Sequence, residues 1–240
     1  MKKVAIYIGS RANYSSAISI MKAIRSSKIL KLYIVVGGAG TLSRYGDVTK
    51  LLKQDGFKKF FKTNTLVEGE TPLTMSKSIG LGVSELSMAL DIIKPQYVIA
   101  IGDRFDVLPW VTSAAMMNIC IAHTMGGERS GTIDESIRHA ITKFANIHFP
   151  ANQDAKKRII KMGENKENVH AVGCPRIDYV LSTLKEIKNG KHLNSKTLFE
   201  KYKGVGKTFD IKMKNFLLVS FHPVTTEYGS NKRHINEILS

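Results

Sequence analysis

Short apolar runs alternate with segments of helical periodicity along most of this chain, and this alternation is the feature that most constrains its fold. Parallel strands need a helix that crosses back over the sheet between them, so the pattern predicts an α/β fold with a Rossmann-like parallel sheet of six or seven strands. The expected strands are 4–8, 32–36, 58–61, 97–101, 119–123, 147–149 and 169–172. The expected helices are 15–26, 47–54, 72–91, 106–117, 134–145, 153–162 and 178–188.

The end of the chain predicts a domain boundary. Residues 1–188 form the expected Rossmann-like domain, and the polar, lysine-rich stretch 189–214 is the expected linker. A new buried-strand pattern at 215–221 ends in His222 and Pro223, so 215–240 is predicted to be the first strand and start of an incomplete second domain. Because one strand and a partial helix cannot bury a core, we expect a truncated second domain or a tail that docks on the first.

The composition argues against several classes of partner. The net charge is +16, but the lysines are dispersed and not interleaved with aromatic residues, which favours a solvated surface or an anionic small molecule over nucleic acid. No apolar run approaches the roughly 20 residues of a membrane span, so no membrane partner is expected. Cys120 and Cys174 have apolar neighbours and no metal-ligand spacing, so we expect buried thiols and a cytoplasmic protein.

Charged residues follow two of the predicted strands. Asp103 and Arg104 come directly after strand 97–101, and Glu128 comes shortly after strand 119–123. Because open α/β sheets bind ligands at the carboxyl ends of their strands, this position predicts an active site, although a surface ion pair of Asp103 with Arg104 is the alternative. His123 ends the second of these strands. It is interpreted either as a core histidine or, from the neighbouring Gly-Gly-Glu sequence, as a functional one.

The helix that follows carries further candidates. Asp134 precedes or begins it, where an acid can act in chemistry or simply stabilise the helix start. Arg138 and His139 are adjacent and point about 100° apart, whereas His139 and Lys143 share a face, so the three cannot address one ligand equally. Arg11, in the loop after the first strand, can offer an arginine to a phosphate, although a plain turn fits the spacing equally well.

Five motifs together resemble one family, the hydrolysing UDP-N-acetylglucosamine 2-epimerases. They are GSRANY at 9–14, GDRFDVLP at 102–109, HTMGGERSGTIDESIRHAITK at 123–143, VGCPRID at 172–178 and HPVTTE at 222–227. The resemblance implies the N-terminal half of a GT-B-like fold of two Rossmann-like domains, with the second domain supplying much of the uridine and diphosphate binding. It also implies no metal or nicotinamide cofactor, a nucleotide-sugar substrate, a homodimer and a role in making sialic-acid-like sugars.

The resemblance also implies roles for individual residues. Asp103, Glu128 and Asp134 would be the acid–base groups, and His222 would bind or polarise the leaving diphosphate. The expected substrate contacts are Arg11, Arg104 and, with weaker motif support, Arg138, His139 and Lys143. The reaction would convert UDP-N-acetylglucosamine to N-acetylmannosamine and UDP through elimination to a 2-acetamidoglucal and hydration.

Three alternatives stay open at this point. The family's non-hydrolysing branch adds UDP back to the intermediate, but the Gly-Gly-Glu block followed by Asp134 and Glu135 favours the hydrolysing branch. Other relatives act on a UDP-linked diacetamido-bacillosamine or a GDP-linked sugar. A third possibility, from a different functional class, is a non-catalytic truncated domain that binds a nucleotide or a partner chain.

Overall fold

The computed structural model describes residues 1–190, 217, 219–222 and 227–240. The chain divides into two compact units, Met1–Tyr179 and Val180–Ser240. The predicted linker lies almost wholly outside the described residues. Of the predicted strand 215–221, only Leu217 and residues 219–221 are described, and these have no regular secondary structure. The proposed domain boundary and second-domain strand therefore stay predictions.

A six-stranded parallel sheet organises the first unit, and the prediction of an α/β fold with a Rossmann-like sheet is confirmed. The strand order is β3-β2-β1-β4-β5-β6, which reverses direction between β1 and β4 and so creates the crevice where such sheets bind ligands. The strands are β1 Lys2–Ile8, β2 Leu30–Val36, β3 Phe61–Lys62, β4 Tyr97–Ile101, β5 Cys120–Thr124 and β6 Ile147–Phe149.

Eight α-helices lie in the described residues, of which the first five connect successive strands of the sheet and the last three follow β6 in the chain. They are α1 Arg11–Ser26, α2 Val48–Gln54, α3 Pro72–Ile93, α4 Leu108–Met116, α5 Ile133–Phe144, α6 Gln153–Lys161, α7 Pro175–Lys188 and α8 Asn231–Leu239. Short 3₁₀ turns lie at Gly38–Thr41, Ser43–Tyr45 and Lys166–Asn168. No helix among the described residues is long and apolar enough to cross a membrane.

Local sequence sets where several helices begin. The Ser10 side chain accepts a hydrogen bond from the Asn13 backbone N–H at 3.3 Å and caps α1. Asn152 caps α6 in the same way through the Ala155 N–H at 2.8 Å. At the start of α3, Thr71 and Thr74 satisfy each other's backbone N–H groups, and Pro72 occupies a first-turn position that needs no N–H donor.

The core lies on both faces of the sheet. One face packs Ala5 and Tyr7 of β1 against residues of α3 and α4, including Trp110. The other packs Ile6 and Ile8 against α1 and α2. Because successive strand residues point to opposite faces, burial of all four explains why β1 is a continuous apolar run.

The structure corrects one predicted strand. Residues 169–172 make a single parallel bridge, from Val169 to His148, in place of a seventh strand. Val169 is buried but Val172 is largely exposed, and Pro175 already begins α7, so the segment buries only its first residue and has little length in which to pair. The predicted strand 58–61 is also shifted, to the two residues Phe61–Lys62.

Candidate active site at the carboxyl edge of the sheet

Charged side chains from two loops and two helices surround a cavity of about 270 Å³ at the carboxyl ends of β1, β4 and β5. Gly102, with φ of +75°, turns the chain sharply as it leaves β4 and is followed by Asp103 and Arg104. The N-terminal turn of α1 and the first residues of α7 complete the wall. The lining residues are Ala12, Asn13, Ser16, Ile101, Gly102, Asp103, Arg104, Met125, Glu128, Arg138 and Arg176.

Arg138 connects the segments that carry the predicted carboxylates. Its guanidinium is buried, at 5% exposure, and forms an ion pair with the carboxylate of Asp103 through Nη2. Nη1 donates to the backbone oxygen of Glu128 at 2.7 Å. The motif support for Arg138 was weaker than that for Arg11 or Arg104. In the structure it lies at the centre of the site and fixes the loops of Asp103 and Glu128 relative to α5.

Asp134 lies in the first turn of α5 close to the same charges. Partial burial, followed by the nearby Asp103 carboxylate, raises its pKa, while Arg104 and Arg138 act in the opposite direction. A carboxyl group with a raised pKa is better able to hold and release a proton near neutral pH. Glu128 is half-buried and also lines the cavity. The structure thus brings the predicted residues Asp103 and Glu128 to one cavity, whereas Asp134 is not a lining residue and lies near Asp103.

Arg104 is held by a residue to which the sequence assigned no role. Its Nε donates to Asp106 Oδ1 at 3.3 Å, and the negative charge of Asp106 is the main cause of a raised Arg104 pKa. Asp106 was predicted only as the first residue of a helix, but α4 begins at Leu108 and Asp106 lies in the turn before it. Its position two residues after Arg104, within the GDRFDVLP motif, was the available signal.

The remaining predicted contacts of the first unit are not among the residues that line the cavity. Arg11 is exposed on the first turn of α1, with its side chain against Gly46. His139 Nε2 lies 3.8 Å from Glu135 Oε1. Lys143 pairs with Glu164 and donates to the Met162 backbone oxygen at 3.1 Å. Of the three candidates on α5, only Arg138 lines the cavity, as the helical spacing predicts.

The His123 side chain lies inside the fold and is not one of the residues that line the cavity. It is buried at 1% exposure, its Nε2 lies 2.9 Å from the Gly102 backbone oxygen, and its Nδ1 lies 3.2 Å from Thr142 Oγ1. Because a carbonyl oxygen only accepts, Nε2 carries the proton in this hydrogen bond. Burial lowers the pKa of His123 to about 4, so the ring is neutral and supports the turn that precedes Asp103.

Sequence reasoning also missed three polar side chains that line the cavity, namely those of Asn13, Ser16 and Arg176. Arg176, within the VGCPRID motif, donates from Nε to Ser16 Oγ at 2.8 Å. Asn13 donates from its side-chain amide to the Ile101 backbone oxygen at 3.2 Å. The motifs of Asn13 and Arg176 were recognised, but only the folded chain shows which motif residues reach the cavity.

His222 belongs to the second unit. It is exposed, and its Nε2 lies 3.0 Å from Ser220 Oγ. Pro223 lies outside the described residues. Within the described part of the chain, no group of three or more His, Cys, Asp or Glu side chains is arranged to hold a metal ion.

Comparison with known proteins identifies the family of this chain. The family model for UDP-N-acetylglucosamine 2-epimerase matches residues 22–240. The chain belongs to the UDP-N-acetylglucosamine 2-epimerase family. The resemblance carried by the sequence motifs is therefore confirmed at the level of the family.

Two curated members of the family are similar over nearly the whole chain. The Neisseria meningitidis UDP-N-acetylglucosamine 2-epimerase is 30% identical over 95% of this chain and 56% of its own length. The Legionella pneumophila UDP-N,N'-diacetylbacillosamine 2-epimerase (hydrolyzing) is 30% identical over 100% of this chain and 60% of its own length. The chain therefore spans somewhat more than half the length of these relatives.

Solved structures of epimerases share the fold. The Methanocaldococcus jannaschii UDP-GlcNAc 2-epimerase in complex with UDP-GlcNAc and UDP matches with a TM-score of 0.72 at 21% identity, over 83% of this chain and 53% of that chain. The Neisseria meningitidis enzyme bound to UDP-GlcNAc matches with a TM-score of 0.70 at 16% identity, over 84% of this chain and 54% of that chain. The prediction that this sheet is one half of a GT-B-like fold is confirmed.

Proposed function

We propose that this chain carries the acid–base site of a hydrolysing 2-epimerase that converts UDP-N-acetylglucosamine and water to N-acetylmannosamine and UDP. The observation that carries the proposal is that Asp103 and Glu128 line one cavity together with three guanidinium groups, with Asp134 close enough to interact with the charges of Asp103, Arg104 and Arg138. A carboxylate near C2 and cations near a leaving diphosphate are the two requirements of this elimination.

The first step removes UDP. A carboxylate takes the C2 proton, the C2–H electron pair forms the C1–C2 double bond, and the C1–O bond breaks with its electrons leaving on UDP. The C2 proton of a sugar is not acidic, so the step depends on stabilising the leaving diphosphate. Arg104 and Arg176 are the cavity cations assigned to this role. Arg138 is already committed to Asp103 and the Glu128 backbone, so its part is to hold the carboxylates in place.

The second step hydrates the 2-acetamidoglucal. Water adds its hydroxyl to C1 while a carboxylic acid returns a proton to C2 on the opposite face, which inverts that centre. This step needs an acid as well as a base, and Asp134 suits the acid because burial and Asp103 raise its pKa. We assign Asp103 and Glu128 to the remaining proton transfers.

The choice between water and UDP as the second reactant rests on sequence and relatives. The Gly-Gly-Glu block followed by Asp134 and Glu135 favours the hydrolysing branch. The Legionella pneumophila relative and a Campylobacter jejuni relative, 30% identical over 99% of this chain and 59% of its own length, are both named as hydrolyzing epimerases of diacetylbacillosamine nucleotides. A diacetylbacillosamine substrate is thus the main competitor within the class.

The proposal is tested by incubating the purified chain with UDP-N-acetylglucosamine in D₂O and following the sugar and UDP by proton NMR. Release of UDP with deuterium at C2 of N-acetylmannosamine is expected. Asp103→Asn, Glu128→Gln and Asp134→Asn should each reduce turnover about 10²- to 10⁴-fold. Asp154→Asn is the matched control, because its side chain is 84% exposed on α6 and does not line the cavity.

The other outcomes separate the alternatives. Conversion of the diacetylbacillosamine nucleotide alone would keep the chemistry and change the substrate. Saturable UDP binding without any turnover would favour the alternative that this chain is a non-catalytic nucleotide-binding domain. Turnover at the wild-type rate in all three carboxylate variants would refute the assigned roles.

A further inference from the structure

The carboxylate of Asp106 is buried beside the cavity with half of its hydrogen-bonding capacity unused. Asp106 is 4% exposed, and only Oδ1 has a donor, Arg104 Nε at 3.3 Å. Within the described residues, its buried Oδ2 has no hydrogen-bond partner. An unsatisfied charged oxygen in a protein interior is costly, so its retention needs a reason other than stability.

The surroundings of Oδ2 explain why the fold does not satisfy it. A Cβ atom placed on Gly9 would lie 2.7 Å from Asp106 Cγ and closer still to Oδ2, and one placed on Gly38 would lie 3.1 Å from Oδ2. The polar groups nearby are engaged elsewhere, since the hydroxyl of Tyr7 lies 3.0 Å from Thr65 Oγ1 and the Gly38 N–H donates to the same oxygen at 2.7 Å. The carboxylate is therefore packed against a glycine loop that offers it no donor.

The contact with Arg104 has a geometry suited to positioning. Asp106 holds the inner nitrogen Nε, and Asp106 is the only carboxylate within 4 Å of the Arg104 guanidinium among the residues that the structure describes. The Arg104 side chain is 40% exposed and lines the cavity beside Asp103. When a guanidinium is held through Nε, its two terminal amino groups, Nη1 and Nη2, stay available to bind an anion.

We propose that Asp106 is a positioning residue that fixes Arg104 to receive the diphosphate of the nucleotide sugar. This inference rests on the proposed function, because it assigns the leaving group to Arg104. Asp106 orients the guanidinium through its negative charge and its single contact with Nε. This orientation leaves the Oδ2 atom of Asp106 without a hydrogen bond.

The kinetic test is a double-mutant cycle with Asp106→Asn and Arg104→Gln. The asparagine keeps the shape of the side chain but removes its charge, and kcat/KM for UDP-N-acetylglucosamine should fall about 10- to 100-fold, the range expected when a binding group is misplaced. In the Arg104→Gln background the same change should cause no further loss, because the group on which it acts is gone. Asp154→Asn, which makes the same change of charge on the surface, should leave kcat/KM unchanged.

Stability separates a positioning role from a structural one. Because Asp106→Asn removes a poorly satisfied buried charge, its urea midpoint should equal or exceed that of the wild type while activity falls. A midpoint that falls in step with activity would overturn the proposal. An equal loss of kcat/KM with and without Arg104 would overturn it as well.

An NMR measurement makes the test independent of turnover. In protein labelled with ¹⁵N-arginine, the Arg104 Nε–H resonance is identified by its absence in Arg104→Gln. It should shift in Asp106→Asn but not in Asp154→Asn, and added UDP should shift it more weakly in Asp106→Asn than in the wild type. If the wild type neither binds UDP nor turns over a nucleotide sugar, the proposed function fails. An Arg104 signal that is insensitive to Asp106→Asn overturns this inference whatever the activity.

Discussion

Replacing Gly9 with alanine should destabilise the protein, and the cause should be steric overlap with the neighbouring side chains of Asp106 and Tyr7. The backbone of Gly9 is not in the left-handed region, so an alanine is conformationally allowed there. The new methyl group would, however, overlap the Asp106 carboxylate and lie 3.0 Å from Tyr7 Cε1. Such overpacking costs about 1–3 kcal/mol. Displacement of Asp106 from Arg104 Nε adds roughly 1 kcal/mol for the lost hydrogen bond.

The total of about 2–4 kcal/mol corresponds to a fall in Tm of roughly 6–12 °C for a domain of this size. Differential scanning calorimetry gives the measurement, and Gly80→Ala gives the matched control. Gly80 is exposed within α3, and an added methyl group would have no neighbouring atom within 4 Å, so alanine there should stabilise the helix by about 0.5–1 kcal/mol.

A second substitution locates the cause. Asp106→Ala empties the space that the Gly9→Ala methyl group would enter, so the double variant should melt at a higher temperature than Gly9→Ala alone. A Gly9→Ala protein that melts with the wild type would refute the reasoning. So would a double variant that melts below the single one, because the clash with Asp106 would then not be the source of the loss.

Two further predictions concern buried groups that support the site. His123 is neutral when folded, with a pKa of about 4 against 6.5 ordinarily, so its contribution to stability is full above pH 6.5 and falls by up to about 3 kcal/mol as the pH drops to 4. Urea titrations should show this slope reduced in His123→Gln, and an unchanged slope would count against a buried neutral ring. Arg138→Gln leaves Asp103 and the Glu128 oxygen without their donor, and urea unfolding should show a loss of about 2–3 kcal/mol. A loss below about 0.5 kcal/mol would show that the pair is not structurally important.

Features fixed by local pattern could be predicted from the sequence. Strand β4 was predicted with its observed bounds, Tyr97–Ile101, because a short apolar run of this length between two helical segments suits a buried strand and is too short for a typical helix. The rule that parallel sheets bind ligands at the carboxyl ends of strands then located Asp103 and Glu128. Helical spacing correctly separated Arg138 from His139 and Lys143.

Features fixed by contacts between distant segments could not be predicted. Whether residues 169–172 form a strand depends on burial against a neighbour, and Val172 proved to be exposed. Asp106 matters because β1 carries Gly9 into contact with it, although the two residues are far apart in the sequence. Arg176 reaches the cavity only because α7 returns to Ser16 on α1. Motifs indicated which segments were functional, whereas the packing decided which of their side chains meet.

The central place of β1 in the sheet has a consequence for how the protein is made. One edge of β1 pairs with β2, which follows it closely in the chain. The other edge pairs with β4, where Tyr97 pairs with Val4, and β4 is synthesised later. At about 5–20 residues per second, the ribosome needs roughly 3–12 s to proceed from the end of β2 to β4. During that interval the nascent chain carries an apolar strand with an open edge, the kind of surface that other chains can pair with. We therefore expect chaperone protection of the newborn chain to matter most before β4 emerges.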